Sequence, residues 1–208
     1  MAAAGAVLFP GVLFSGPRDV PALALTIDDG PDPETTPAIL AALEGTGAKA
    51  TFMLIGEHAE AAPDLVRAIV AAGHEIGHHM DRDEMTAGLS DAALEAGMAG
   101  TLAFLQGFGP VRFLRPGWGL PTRRIVAAAT RHGLTVVVGN VAPMDTSAAQ
   151  RRVTEPWLLL NARPGAILTV HDRGPRGRST AEVIGSAVPK IKERGLGFVT
   201  LSELVAGA

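Results

Sequence analysis

Apolar positions along the chain fall into short continuous runs, separated by longer segments in which they recur every three or four residues. Ala22–Ile27, Lys49–Ile55, His74–Gly77, Val111–Leu114, Leu134–Val138, Ala166–Val170 and Gly197–Val199 are β-favouring and bounded by turn residues, the pattern of buried strands. Val12–Phe14 adds a shorter one. Between the runs, the spacing predicts helices over Glu34–Leu43, Ala59–Ala72, Ser90–Gln106, Pro121–His132, Glu155–Asn161 and Thr180–Arg194, with a last one from Ser202. Their ends carry helix punctuation: Thr35 or Thr36 and Ser90 as caps, Gly73 and Gly133 as stops. Strands alternate with helices over short connections, which implies an α/β domain built on a parallel sheet.

No composition shift or linker divides the chain, so residues 22–208 read as one domain and residues 1–21 as an arm packed on it. The 208 residues, 47% of them hydrophobic, suffice for one sizeable core. The segment Met1–Phe14 is apolar but has no Lys or Arg ahead of it and is interrupted by Pro10 and Gly11. A signal peptide calls for a basic start, and a transmembrane helix for about 20 unbroken apolar residues, so neither is expected here. A net charge of −3 without a basic run gives no footing for nucleic acid. The chain has no Cys, so any metal must be held by His and carboxylates.

The polar residues that bear chemistry gather just after the strands: Asp28, Asp29, His79, Arg115, Asp145 and His171. In parallel α/β folds the C-terminal strand ends form one face, and sites sit there. Asp28 and Asp29 are adjacent, and strand alternation points them in different directions, one free to grip a metal and the other to move protons. His79 and Asp83 lie four apart, on one face if the segment turns helically. With Asp29 they make three N and O ligands that leave positions open, as catalytic sites do. Asp28 beside a cation stays ionised and can act as general base, with Arg115 pairing to it through its rigid fork. His171 is either the acid that protonates a leaving group or a core histidine bonded to Asp172 or backbone. His78, on the opposite side of the strand from His79, is second in line or simply packed.

Taken together these residues resemble the polysaccharide deacetylase family, the carbohydrate esterases with a NodB-type domain. The motif T-[FY]-D-D-G-P stands here as Thr26-Ile27-Asp28-Asp29-Gly30-Pro31. Gly73-His74-Glu75-Ile76-Gly77-His78-His79 is similar to the lead into H-[ST]-x-x-H, Arg115-Pro116-Gly117-Trp118-Gly119 to the arginine motif, and Leu168-Thr169-Val170-His171 to L-x-x-H. The closing Thr200-Leu201-Ser202-Glu203-Leu204 is also typical of the family. The resemblance implies a distorted (β/α) barrel and metal-dependent hydrolysis of N-acetyl groups on N-acetylglucosamine-containing glycans. It implies Asp28 as base, Arg115 as its orienting partner, His171 as general acid, and Asp29 and His79 as metal ligands. Backbone amides near Gly117 and Trp118 would hold the oxyanion. A glycan substrate also implies an envelope or secreted role.

Two departures matter. Asp83 stands where the family has its second histidine ligand, and Met80 where it has Ser or Thr. An Asp-His-Asp set is harder than Asp-His-His: zinc is expected, with manganese, nickel or cobalt more competitive than usual. The fourth motif is poorly matched, Asn140-Val141-Ala142-Pro143-Met144-Asp145 taking its place, with Asp145 expected to tune His171 or line the pocket. With no Tyr and two Trp to stack on sugars, two alternatives stay open: a small amide or O-acetyl ester as substrate, or a non-catalytic carbohydrate-binding relative.

Overall fold

The computed structural model describes residues 11–139 and 150–207. At its centre is β2 (Ala22–Asp28), buried along its whole length. The strands run β1 (Val12–Leu13), β2, β3 (Thr51–Leu54), β4 (Glu75–His78), β5 (Phe113–Leu114), β6 (Thr135–Val137), β7 (Ile167–His171) and β8 (Gly197–Val199). In space their order is β1-β6-β5-β4-β3-β2-β7, and β8 pairs with the first half of β2 on the side whose second half pairs with β3. Every ladder is parallel. The sheet curls into the distorted barrel expected of a NodB-type chain.

The helices are α1 (Thr36–Thr46), α2 (Gly56–Ala61), α3 (Pro63–Ala71), α4 (Asp91–Gln106), α5 (Arg123–Arg131), α6 (Gln150–Asn161), α7 (Gly174–Lys192) and α8 (Leu201–Ala206). Ser90 and Thr122 cap α4 and α5 through their hydroxyls, and Thr200 with Glu203 forms a capping box on α8. Three elements depart from the pattern in the sequence. The helix expected over 59–72 is two, divided at Ala62, because Pro63 donates no hydrogen bond and starts a new helix instead. The helix expected from Glu155 begins by Gln150 and carries Pro156 inside it. The helix expected from Thr180 begins at Gly174, with Pro175 in its first turn, where proline's fixed φ suits a helix start.

Although β2 is apolar almost throughout, its two faces differ. Leu23, Leu25 and Ile27 join the large core between sheet and helices, whereas Ala22 and Ala24 face the barrel interior with Met53, Phe113, Val137 and Ile167. Leu201 and Leu204 of α8 pack into that inner cluster. Small residues on the inner row leave room in a narrow barrel, and large ones on the outer row bury area against helices. The inner row continues through Thr26 to Asp28, so the alternation that builds the core also aims Asp28 into the barrel mouth.

Candidate active site

The same period of two delivers the other groups. From Phe113 the inner row of β5 leads to Arg115, and on β7 it runs from Ile167 through Thr169 to His171. His79 follows β4 directly, its N–H donating to the Leu54 carbonyl (2.8 Å), and Arg115 follows β5, donating to the carbonyl of His78 (2.8 Å). Asp28 and His171 lie opposite each other in the β2–β7 ladder. Asp28, Asp29, His79, Arg115, His171 and Trp118 line one cavity of about 660 Å³.

Asp28 is nearly buried and held from one side. Arg115 Nη1 donates to its Oδ1 (2.5 Å) and to Thr26 Oγ1 (2.8 Å), while Nε reaches the Val137 carbonyl (3.4 Å). Arg115 is itself buried, and its Nη2 has no hydrogen-bond partner among the described residues. Alternation alone would send Asp29 away from Asp28. Instead Asp29 adopts φ 75°, which turns its carboxylate back into the same cavity. Met80 and Trp118 also have positive φ, so every non-glycine residue of that kind among those described flanks the site, as strained backbone at functional sites often does.

His79 Nδ1 donates to the Arg115 carbonyl (2.8 Å), which directs Nε2 towards Asp29 Oδ1 (3.4 Å) and Asp28 Oδ2 (3.9 Å). Burial would lower the His79 pKa, but the charges of Asp28 and Asp29 and the contact with Asp29 outweigh it and raise it. Burial likewise pushes the Asp29 pKa up, and His79, helped by His171 and Arg176, brings it down to about 2. Each group thus favours the charge of the other.

His78 points the opposite way, beneath α4, with Nε2 donating to the Met98 carbonyl (3.0 Å) and Nδ1 accepting from Met80 N–H (2.9 Å). Both ring nitrogens are engaged, so it offers no lone pair to a metal; its role is packing.

Other expected residues sit differently. Asp83 lines the cavity, but its carboxylate faces Arg173 (3.6 Å), and both side chains are about half exposed. The helical turn that would set Asp83 above His79 does not form, because Met80 takes φ 66° and residues 81–84 follow as a bend. Among the described residues no three His, Cys, Asp or Glu side chains come together closely enough to hold a cation. The Gly117 amide also departs from expectation, since its N–H donates to Thr86 Oγ1 (2.7 Å) and not into the cavity. Glycine is required there because a Cβ would lie 2.1 Å from the Glu84 carbonyl oxygen. Trp118 keeps its place on the rim, 74% exposed. Asp145 lies outside the described residues.

Three contributors were not singled out from the sequence. Thr26 anchors Arg115. Asp172 donates its N–H to the Asp28 carbonyl (2.7 Å) and accepts from the Thr35 and Thr36 hydroxyls (2.7 and 2.5 Å), tying the start of α1 to the end of β7. Burial, with the nearby Asp32 and Asp29 charges, raises its pKa to about 6 despite those hydroxyls. Arg176, in the first turn of α7, places Nη2 3.0 Å from Asp29 Oδ2. Pro175 is the signal that reveals it, since a proline in a first turn starts the helix early enough to carry Arg176 to the cavity.

The polysaccharide deacetylase family model matches residues 15–137, which hold the Asp28–Asp29 turn, His79 and Arg115. The chain belongs to the polysaccharide deacetylase family. Among relatives in this family, a peptidoglycan-N-acetylglucosamine deacetylase of Bacillus cereus is 32% identical over 195 residues, covering 92% of this chain and 70% of that protein. A chitooligosaccharide deacetylase of Sinorhizobium fredii is 31% identical over 190 residues, covering 84% of this chain and 87% of that one. The crystal structure of a peptidoglycan N-acetylglucosamine deacetylase in complex with 4-naphthalen-1-yl-N-oxidanyl-benzamide superposes with a TM-score of 0.91 at 29% identity, covering 98% of this chain and 97% of that one.

Polysaccharide deacetylases are metal-dependent as a family. Here Asp29 and His79 fit that requirement: one is a carboxylate that stays ionised, the other an imidazole whose Nδ1–H bond fixes the tautomer and aims Nε2 at the same point.

Proposed function

We propose that this chain is a metal-dependent hydrolase that removes N-acetyl groups from N-acetylglucosamine residues of glycans. The observation that carries the proposal is the pairing of an Arg115-held Asp28 with the Asp29–His79 couple in one buried cavity, opposite His171. Relatives that act on peptidoglycan and on chito-oligomers share the N-acetylglucosamine unit, and that unit is the proposed substrate. Such glycans belong to the cell envelope or exterior, where the proposal sets the enzyme to work.

Asp29 and His79 would hold the cation, leaving its remaining positions to water and substrate; the N and O donors suit zinc first, then manganese, nickel or cobalt. A cation there supplies Lewis-acid polarisation of the acetyl carbonyl and lowers the pKa of water. Arg115 occupies Asp28 Oδ1, so Oδ2 is the oxygen that takes the proton from the attacking water. Carbonyl addition places negative charge on the acetyl oxygen, and the Trp118 N–H, on the cavity rim, is the proposed donor to it. His171, across the ladder from Asp28, returns a proton to the departing sugar nitrogen. The exposed Trp118 ring gives the rim an apolar face on which a pyranose can stack, which favours a sugar over a small amide.

The test is acetate release from N-acetylglucosamine oligomers and from peptidoglycan, using metal-stripped protein with zinc, manganese, nickel or cobalt restored. Restored activity that falls by about 10²–10⁴-fold in Asp28→Asn supports the assignment. Protein that binds metal but releases no acetate from either polymer would refute it.

A further inference from the structure

We infer that Arg176 is a positioning residue for Asp29, holding one carboxylate oxygen so that only the other is presented with His79 to a cation. The inference rests on the reading of Asp29 as a metal ligand.

Arg176 lies outside every motif that marks the family in this sequence, yet its Nη2 sits 3.0 Å from Asp29 Oδ2, and the Asp29 side chain is only 8% exposed. Asp29 is thereby fixed at three points. His58 Nδ1 donates to its backbone carbonyl (2.8 Å), His79 faces Oδ1 and Arg176 takes Oδ2. Together these contacts hold the carboxylate at the φ of 75° that turns it into the cavity.

The element that carries Arg176 is itself braced. Thr180 Oγ1 donates to the His171 carbonyl (2.8 Å). Gly177 lies so close to α1 that a Cβ would come within 2.4 Å of Thr35 Oγ1. The first turn of α7 is therefore locked to β7 and to α1, and Arg176 reaches the cavity from a rigid base. A short, exposed pair between flexible side chains would contribute little; a buried carboxylate met by a braced guanidinium is oriented by it.

The chemical consequence concerns denticity. With Oδ2 engaged, Asp29 binds through one oxygen, which suits a small four-coordinate cation such as zinc. With Oδ2 released, the carboxylate can swing to offer both oxygens, which suits larger cations of higher coordination number.

The experiment measures zinc and manganese dissociation constants by competition with a chromophoric chelator, for wild type, Arg176→Met, Arg176→Lys and Asp29→Asn. Thermal unfolding of the metal-free proteins checks that each variant folds. The expected result is zinc binding about 10–100-fold weaker in Arg176→Met, with a smaller loss for manganese, and partial recovery of zinc affinity in Arg176→Lys. Zinc affinity unchanged or tighter in folded Arg176→Met, or equal losses for both metals, would overturn the positioning role while leaving the ligand assignment intact. Zinc binding as tight in Asp29→Asn as in wild type would remove the ligand assignment, and the inference with it.

Discussion

His78 and His79 show how one step along a strand separates chemistry from packing. The His78 ring is fully buried between two backbone partners, and burial lowers its pKa from 6.5 to about 4. In the unfolded chain it takes up a proton near pH 6.5, whereas in the folded protein it resists until about pH 4. The unfolded state therefore binds more protons in this window, so the stability that His78 contributes is complete above pH 6.5 and drains away as pH falls towards 4. That contribution is about 3 kcal/mol. His78→Ala is expected to cost about 2–4 kcal/mol through the cavity and the two lost hydrogen bonds, to flatten the pH dependence, and to leave metal stoichiometry unchanged. Urea unfolding between pH 4 and 7, with a metal titration, checks all three. Alternation made this division legible in the sequence. It misled at Asp29, where φ turns positive and a rule written for extended backbone no longer applies.

At the scale of elements, the decisive feature is the approach of two loops, residues 80–86 after β4 and residues 116–119 after β5. Gly117 lets the Glu84 carbonyl pack against its backbone, and Thr86 receives the Gly117 N–H. Gly117→Ala would force the two apart, since its Cβ would meet a backbone oxygen and not a flexible side-chain tip. The expected outcome is a loss of about 1–3 kcal/mol in stability. Activity should fall further than stability accounts for, because Asp83 and Trp118 ride on the displaced loops; denaturant midpoints and acetate release measured on the same preparation separate the two effects. The sequence located both loops and their residues, but not their contact. Loop against loop leaves no periodicity to read, and the bend that sends Asp83 towards Arg173 depends on packing across the cavity. The early start of α7 was signalled by Pro175, and its consequence for Arg176 is legible only once the helix is placed against β7.

Across the whole molecule, the rhythm of strand and helix foretold the parallel sheet, while the order of strands belongs to tertiary packing. No run of residues says that β8 takes the lower half of the β2 edge and leaves the upper half to β3. The proposed ligands Asp29 and His79 follow different strands, β2 and β4, so a cation bound between them would staple the fold. At a free concentration 100 times its dissociation constant, it should add about 2.7 kcal/mol to the unfolding free energy. Denaturant unfolding with and without chelator tests this, and the gain should vanish in Asp29→Asn.

The β2 strand also sets a constraint on biosynthesis. Thr26 Oγ1 donates to the Leu168 carbonyl, 142 residues further on, and Ala22–Ala24 pair with Gly197–Val199 of β8. The strand that leads to Asp28 and Asp29 therefore leaves the ribosome before β7 and β8, and waits for both to be translated before its edges are covered. Until then the segment from Ala22 to Asp28 is a template for mispairing, and whatever shields it in that interval governs how much active enzyme a cell obtains.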